Sequence, residues 1–231
     1  MHPSDQLSKR MKSQRPKQIG VVIVEDHRMF REQIGRLIDK ADDMKVCGQA
    51  DNIRDGFALI KQMRPAIAIV DITLKGSSGL ELLKDLRAHK VNVPVLVLSM
   101  HDESLYAERA LRAGAKGYIT KHQASADVLV AIRQVVNGEV YLNQDFMSHM
   151  VSKMVSGGGT SEQSIDRLAD RELEVFELIG RGLTSREISA RLGLGVTTVD
   201  TYRSRIKEKL HLANSARLRL EAARWVLEQG Q

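Results

Sequence analysis

From Ile19 to about Asn143, short β-branched apolar runs alternate with stretches of helical periodicity. The runs are Ile19–Val24, Lys45–Ala50, Ala66–Val70, Val93–Leu98 and Gly117–Thr120, each bounded by turn or polar residues as strands are. The stretches between them are amphipathic; in one, Leu105, Ala107, Ala110 and Leu111 share a side before Gly114 stops the pattern. Strands that alternate with helices imply parallel neighbours, because a parallel pair needs a crossover. The expected fold over 19–143 is therefore an α/β doubly wound, five-stranded parallel sheet. Such sheets bind ligands beyond the carboxyl ends of their strands.

A helical piece carrying Phe146, Met147, Met150, Val151 and Met154 follows, and then Ser156-Gly-Gly-Gly-Thr-Ser161. Consecutive glycines hold a regular element only at high entropic cost, so 144–165 reads as a linker helix with a glycine-rich linker. From Asp166 to the end the pattern is all-α. Leu168–Gly182, Thr184–Leu192, Thr197–Leu210 and Ser215–Leu227 read as four short helices forming a second domain over 166–231.

Composition adds exclusions. The chain has 231 residues, 42% hydrophobic and 28% charged, ordinary for a globular protein. Apolar runs such as Val93 to Leu98 fall far short of the ~20 residues of a membrane helix, and the N-terminus is charged where a signal peptide is apolar. A cytoplasmic chain without membrane contact is expected. The single cysteine, Cys47, excludes an internal disulfide and reads as a small core or sheet residue. The net charge of +6 invites a nucleic-acid reading, but residues 1–18 hold five Lys/Arg against one acid in a tail without apolar periodicity, expected to be disordered. Bulk charge alone is thus a weak guide.

The chemistry-bearing residues stand at the strand ends. Strand one runs into Glu25-Asp26, strand three into Asp71, strand four into Ser99 and strand five into Lys121. Three carboxylates on one rim repel one another unless a cation sits among them, and an all-oxygen donor set suits Mg²⁺. A hydroxyl and an ammonium facing such a site can neutralise the oxygens of a transferring phosphoryl group, and a carboxylate could be its acceptor. Taken singly, an acid pair after a strand is often loop solvation and an aspartate is often a turn residue. Joint placement on four strand ends is what points to a site.

With these positions, residues 19–143 resemble the receiver domain of two-component response regulators. The resemblance implies that Glu25 and Asp26 hold Mg²⁺ with Asp71, and that the Thr73 backbone carbonyl completes the metal shell. It implies further that Asp71 is the phosphoacceptor, taking its phosphoryl group from a sensor histidine kinase. Ser99 would bond the phosphoryl oxygen, Lys121 would pair with it, and Tyr118 would turn inward when Ser99 moves. One departure stands out. Receivers usually carry proline four residues after the acceptor, where this chain has Lys75-Gly76 followed by Ser77-Ser78-Gly79. The loop after Asp71 is therefore expected to be more flexible. His27, beside the acid pair, is expected to be a spectator.

In the second domain Thr184 stands three residues before Glu187, the spacing of a capping box. Gly193-Leu194-Gly195 then separates that helix from one starting near Thr197, a helix-turn-helix pattern. Val199, Ile206 and Leu210 face the core at helical spacing, leaving Thr201, Ser204, Arg205 and Lys209 on the far face with Thr197 and Thr198 at its start. Residues 191–209 hold five cations against Asp200 and Glu208. Hydroxyls with cations can bond phosphates and base edges in a major groove, although such a face is also what a solvated helix presents.

The stretch Leu168 to Leu210 resembles the LuxR-type DNA-binding domain, and the two domains together resemble the NarL/FixJ group. Matching positions include Arg171-Glu172, Glu174-Val175, Gly182, Glu187-Ile188, Thr198-Val199 and Lys209-Leu210. The resemblance implies that Asp200, Thr201 and Ser204 look into the groove and that Arg205, Lys209 and Arg186 touch phosphates. The last helix carries an apolar stripe of Leu218, Ala222, Trp225 and Val226; core packing is the default for part of it, and the resemblance implies that this helix pairs with its twin in a homodimer. Asp200 departs from the lysine or arginine common there; it could accept from a cytosine amino group or hold Arg203. The implied function is a phosphorylation-activated transcriptional regulator rather than an enzyme, acting on promoter DNA. Two alternatives remain at this level: a phosphorelay or protein-interaction regulator whose C-terminal helices bind a partner, kept open by Asp200, and an aspartyl-phosphate phosphatase, for which no cap domain is evident.

Overall fold

The structure, a computed structural model, describes residues 18–100, 103–144, 146–148 and 165–229. All of the basic tail except Gln18, and most of the linker, lie outside the described residues. Five strands, β1 (Ile19–Val24), β2 (Met44–Ala50), β3 (Ile67–Asp71), β6 (Val95–Ser99) and β7 (Gly117–Thr120), form one sheet in the order β2-β1-β3-β6-β7, parallel throughout. The remaining two, β4 (Thr73–Leu74) and β5 (Ser77–Ser78), pair antiparallel as a small hairpin. Every residue of β3 and β6 is buried, the signature of a parallel sheet covered on both faces.

The crossover helices are α1 (Arg28–Asp39), α2 (Ile53–Met63), α3 (Gly79–Ala88), α4 (Glu103–Ala113) and α5 (Ala124–Val136). Ile34 and Ile38 of α1 and Val128, Ala131, Ile132 and Val135 of α5 pack with Val21, Ile23, Ile69 and Leu98 on one sheet face. On the other, Ile60, Leu82, Leu83, Leu86 and Ala110 pack with Val22, Val24, Val70 and Val97. The winding direction reverses between β1 and β3, so their carboxyl ends leave a crevice.

The C-terminal part holds α6 (Asp170–Gly180), α7 (Ser185–Leu192), α8 (Val196–Lys209) and α9 (Ser215–Gln229). Thr184 caps α7 as the spacing predicts: its hydroxyl accepts from Glu187 N at 3.4 Å and its own N–H donates to Glu187 Oε2 at 2.7 Å. Gly193, at φ +65, ends α7 in the left-handed conformation. Nine consecutive residues of α6, Arg171 to Ile179, are buried because the helix is covered from two sides. The helices α7, α8 and α9 pack on one side, Phe176 and Trp225 meeting at 5.8 Å between ring centroids. Receiver helices α3 and α4 cover the other, so the second apolar cluster runs on through Tyr106 into Leu168, Leu173 and Phe176. No helix among the described residues is long and apolar enough to cross a membrane.

The α6–α9 crossing is close enough to exclude a side chain. A Cβ at Gly180 would lie 2.3 Å from the Ala222 carbonyl oxygen. Gly180→Ala is therefore expected to destabilise the helical domain by about 3 kcal/mol, whereas a Cβ at Gly20 would meet Cys47 Sγ at an ordinary 3.6 Å. Urea unfolding of both variants checks this; equal midpoints for Gly180→Ala and Gly20→Ala would contradict the packing described.

Candidate functional site

The sheet delivers its acids to the β1/β3 crevice. Glu25 and Asp26 follow β1 and Asp71 ends β3, and one carboxylate oxygen from each lies within 4.8 Å of the others. Glu25 and Asp71 are almost fully buried. Lys121, directly after β7, reaches both: its Nζ is 2.6 Å from Glu25 Oε2 and 2.9 Å from Asp71 Oδ2, and it lies 4.9 Å from the centre of the Phe30 ring. Ser99 ends β6, fully buried, and its carbonyl accepts from Lys121 N at 2.7 Å. The four charged strand-end residues thus meet in one place, and Ser99 joins them through its backbone. His27 sits outside it, exposed, its N–H donating to Glu25 Oε1 at 3.0 Å.

One ammonium faces two buried carboxylates, and the charge is unbalanced. Burial, and then the charge of Glu25, push the Asp71 carboxyl up to about 7 against the opposing pull of Lys121. Burial pulls Lys121 down, but Asp71 and Glu25 outweigh it and hold the ammonium above its ordinary range. A divalent cation among Glu25, Asp26 and Asp71 would supply the missing positive charge, and an all-carboxylate donor set fits Mg²⁺. Thr73, whose carbonyl the resemblance assigns to that shell, begins β4; its N–H donates to Asp71 Oδ1 at 3.2 Å.

Tyr118 lies on β7 with 1% of its surface exposed, on the side of the sheet that faces α4. Tyr106 of α4 lies buried in the same apolar cluster. Tyr106 in turn donates its hydroxyl proton to Glu177 Oε2 of α6 at 2.8 Å.

The exposed side of α8 carries Thr197, Thr198, Asp200, Thr201, Ser204 and Arg205, with Arg186 exposed on the first turn of α7. Val199 and Ile206 anchor the opposite side, fully buried. The side chains of three of the assigned residues have partners inside the domain, among them Thr201, whose hydroxyl donates to Thr197 O at 2.9 Å. Ser185 Oγ donates to Asp200 Oδ1 at 2.8 Å, tying the start of α7 to α8. Lys209 Nζ pairs at 2.6 Å with Glu172 Oε2, which also accepts from Ala169 N.

Several residues to which sequence reasoning gave no role in a site or at a junction matter here. Gly79 opens α3 directly beneath Asp71, where a Cβ would lie 1.9 Å from the Asp71 carbonyl oxygen; a glycine after two serines was its only signal. Arg171 and Glu174, both buried, form an ion pair at the domain junction, and Arg171 Nη2 donates to Leu74 O at 2.6 Å. Asp170 is held by Lys84 at 2.7 Å and Arg109 at 3.2 Å, and Arg109 also donates to Leu168 O. Nothing in their sequence spacing marks these charges as buried.

Comparison with known proteins agrees with this geometry. Residues 21–133 match the response regulator receiver domain, and residues 166–222 match the bacterial regulatory proteins of the luxR family. The nitrate/nitrite response regulator protein NarL of Escherichia coli (strain K12) is 30% identical over 209 residues, 90% of this chain and 95% of NarL. The transcriptional regulatory protein DesR of Bacillus subtilis (strain 168) is 32% identical over 212 residues, 92% of this chain and 98% of DesR. A crystal structure of a LuxR-family two-component response regulator from Aurantimonas sp. SI85-9A1 aligns with a TM-score of 0.57 at 28% identity, over 60% of this chain and 99% of that one. With both halves matched in the same order and relatives spanning nearly its whole length, the chain belongs to the response regulators of the NarL/FixJ group, a receiver joined to a LuxR-type helix-turn-helix.

Proposed function

We propose that this chain is a cytoplasmic transcription factor switched by phosphorylation of Asp71, with a receiver over 19–143, a linker over 144–165 and a DNA-binding domain over 166–231. The observation that carries the reading is the buried Glu25–Lys121–Asp71 group on the same chain as an exposed recognition face on α8. The donor is the phosphohistidine of a sensor kinase. An Asp71 carboxylate oxygen forms the new P–O bond while the P–N bond breaks, and the imidazole leaves with its electron pair and takes up a proton. Lys121 and the Ser99 hydroxyl balance the phosphoryl oxygens, and Glu25, Asp26, Asp71 and the Thr73 carbonyl would hold the Mg²⁺ that neutralises the rest of the charge. Beyond this self-phosphorylation and its hydrolysis the chain catalyses nothing.

Tyr118 and Ser99 act as the switch pair, and the phosphorylated receiver frees the helix-turn-helix for promoter DNA. Thr197, Thr198, Thr201 and Ser204 read the groove, and Arg205, Arg186 and Lys209 neutralise phosphates. Asp200 orients α8 through Ser185, so its acid gives a protein partner no preference over DNA. Leu220 and Leu227, exposed at 58% and 72% on α9, offer an apolar stripe to a second copy, consistent with a homodimer on two half-sites.

Incubation with acetyl phosphate and Mg²⁺ is expected to add one phosphoryl group by intact mass, and Asp71→Asn to add none; equal labelling of the two removes Asp71 as acceptor. In cation-free buffer the raised Asp71 carboxyl contributes stability that is complete below about pH 4 and lost as pH rises through 7. Asp71→Asn is therefore expected to be the more stable protein above pH 7, by about 1–3 kcal/mol, with the gap closing toward pH 4. Urea unfolding with chelator from pH 4 to 8 measures it, and a pH-independent gap contradicts the buried-charge account. On duplex DNA selected from genomic fragments, Arg205→Ala is expected to weaken binding several-fold and to make the slope of log K against log salt shallower by about 0.9; an unchanged slope takes Arg205 off the phosphates.

A further inference from the structure

The segment after Asp71 is a hairpin with one end in the acid site and the other on the DNA-binding domain. Toward the site, Thr73 N donates to Asp71 Oδ1 at 3.2 Å and Lys75 N donates to Asp26 Oδ2 at 3.0 Å. Toward the helices, Leu74 O accepts from Arg171 Nη2 at 2.6 Å and Gly76 N donates to Leu192 O at 2.9 Å. Leu192 is the last residue of α7, and Gly193 opens the turn of the helix-turn-helix. The contact there is tight: a Cβ at Gly193 would lie 3.3 Å from Lys75 Cβ.

The Lys75 bond depends on the departure from the receiver pattern. Proline at position 75, the usual residue, has no N–H and could not donate to Asp26. Gly76 stands at φ +73 and uses its N–H on Leu192, a combination that glycine supplies readily. Leu74 pairs with Ser77, so Lys75-Gly76 is a two-residue connection that carries both domains' bonds within two adjacent amides.

We propose that the β4–β5 hairpin transmits occupancy of the acid site directly to the helix-turn-helix turn, through Asp26–Lys75 on one side and Gly76–Leu192 on the other. This rests on the phosphorylation reading given above and adds a route distinct from Ser99 and Tyr118. Asp26 Oδ2 cannot serve a cation and keep the Lys75 N–H at full strength, and a phosphorylated Asp71 cannot keep Thr73 N in its present place. Either event pulls on a hairpin too short to deform internally, and its tip lets go of Leu192. Mg²⁺ alone therefore loosens the turn in part, and phosphorylation completes the release. Linkage makes the effect reciprocal: freeing the turn tightens cation binding by the same factor.

Hydrogen exchange of the full chain tests it, over 72–78 and 189–195, with no addition, with Mg²⁺, and with Mg²⁺ plus beryllofluoride as phosphoryl stand-in. Calorimetry on the same samples establishes that Mg²⁺ is bound, and duplex binding is read in parallel. In the wild type, Mg²⁺ alone is expected to speed exchange in both segments together, by about tenfold. Lys75→Pro removes the N–H together with the lysine ammonium, which makes no ion pair among the described residues; Lys75 has no positive φ and precedes a left-handed glycine, a position that accepts proline. In that variant Mg²⁺ should still bind while the response at 189–195 to Mg²⁺ alone disappears. Tyr106→Phe, which removes a different receiver bond to α6, should respond as the wild type does. An unchanged 189–195 segment in Mg²⁺-bound wild type, or a Lys75→Pro response equal to the wild type, overturns the hairpin route. If duplex binding rises with beryllofluoride while both segments stay protected, the hairpin route alone fails. Where Mg²⁺ does not bind, or beryllofluoride leaves duplex binding unchanged, the phosphorylation reading fails with it.

Discussion

Glu25 and Asp71 share a single ammonium, Lys121, in a pocket nearly closed to water. That arrangement is short of one positive charge, and burial makes the shortage expensive because the carboxylates cannot be relieved by solvent. The Asp71 carboxyl responds by titrating near neutrality. On the proposed reading, the same imbalance makes the site a receptor for a divalent cation and then for a phosphoryl group. The fold exists to hold this geometry: a reversal of winding between β1 and β3 brings the acids together, and β7 aims the lysine at them.

The domain junction is built from similarly poised material. Arg171, Glu172, Glu174 and Glu177 of α6 are all buried, and each is paired across or beside the junction with Leu74 O, Lys209, Arg171 or Tyr106. Buried ion pairs return little of their desolvation cost. An interface of this composition can hold two domains together and still be released by a change of a few hydrogen bonds, as the more polar interfaces between mobile domains are. The recognition face of α8 meanwhile remains exposed, so what the docked arrangement engages is the Gly193 turn and the body of α6.

The sheet and the site were legible because both follow from simple periodicities. Each of the five sheet strands began and ended within two residues of its apolar run, the first and last with no offset, and the acids, Ser99 and Lys121 stood where those runs stopped. The hairpin was not legible. Two-residue strands have no period, and Lys75-Gly76-Ser77-Ser78 reads as a flexible loop; the contacts that order it come from residues such as Asp26 and Leu192, far away in sequence. The burial of Arg171 and Glu177 was equally hidden, because it arises from a helix covered on two sides, one of them by a different domain. Asp200 pointed to DNA or to Arg203 when only the helix spacing was known, and its partner proved to be Ser185 on the neighbouring helix.

The account turns on one coupling: charge arriving at Asp71 must change how α8 meets DNA. The direct measurement is the dissociation constant for a selected duplex at fixed salt, in the presence and absence of Mg²⁺ with beryllofluoride, for the wild type and Asp71→Asn. A marked tightening in the wild type that is lost in Asp71→Asn is the expected result. Equal affinity in all four samples, with Mg²⁺ bound and the helices intact, would contradict it.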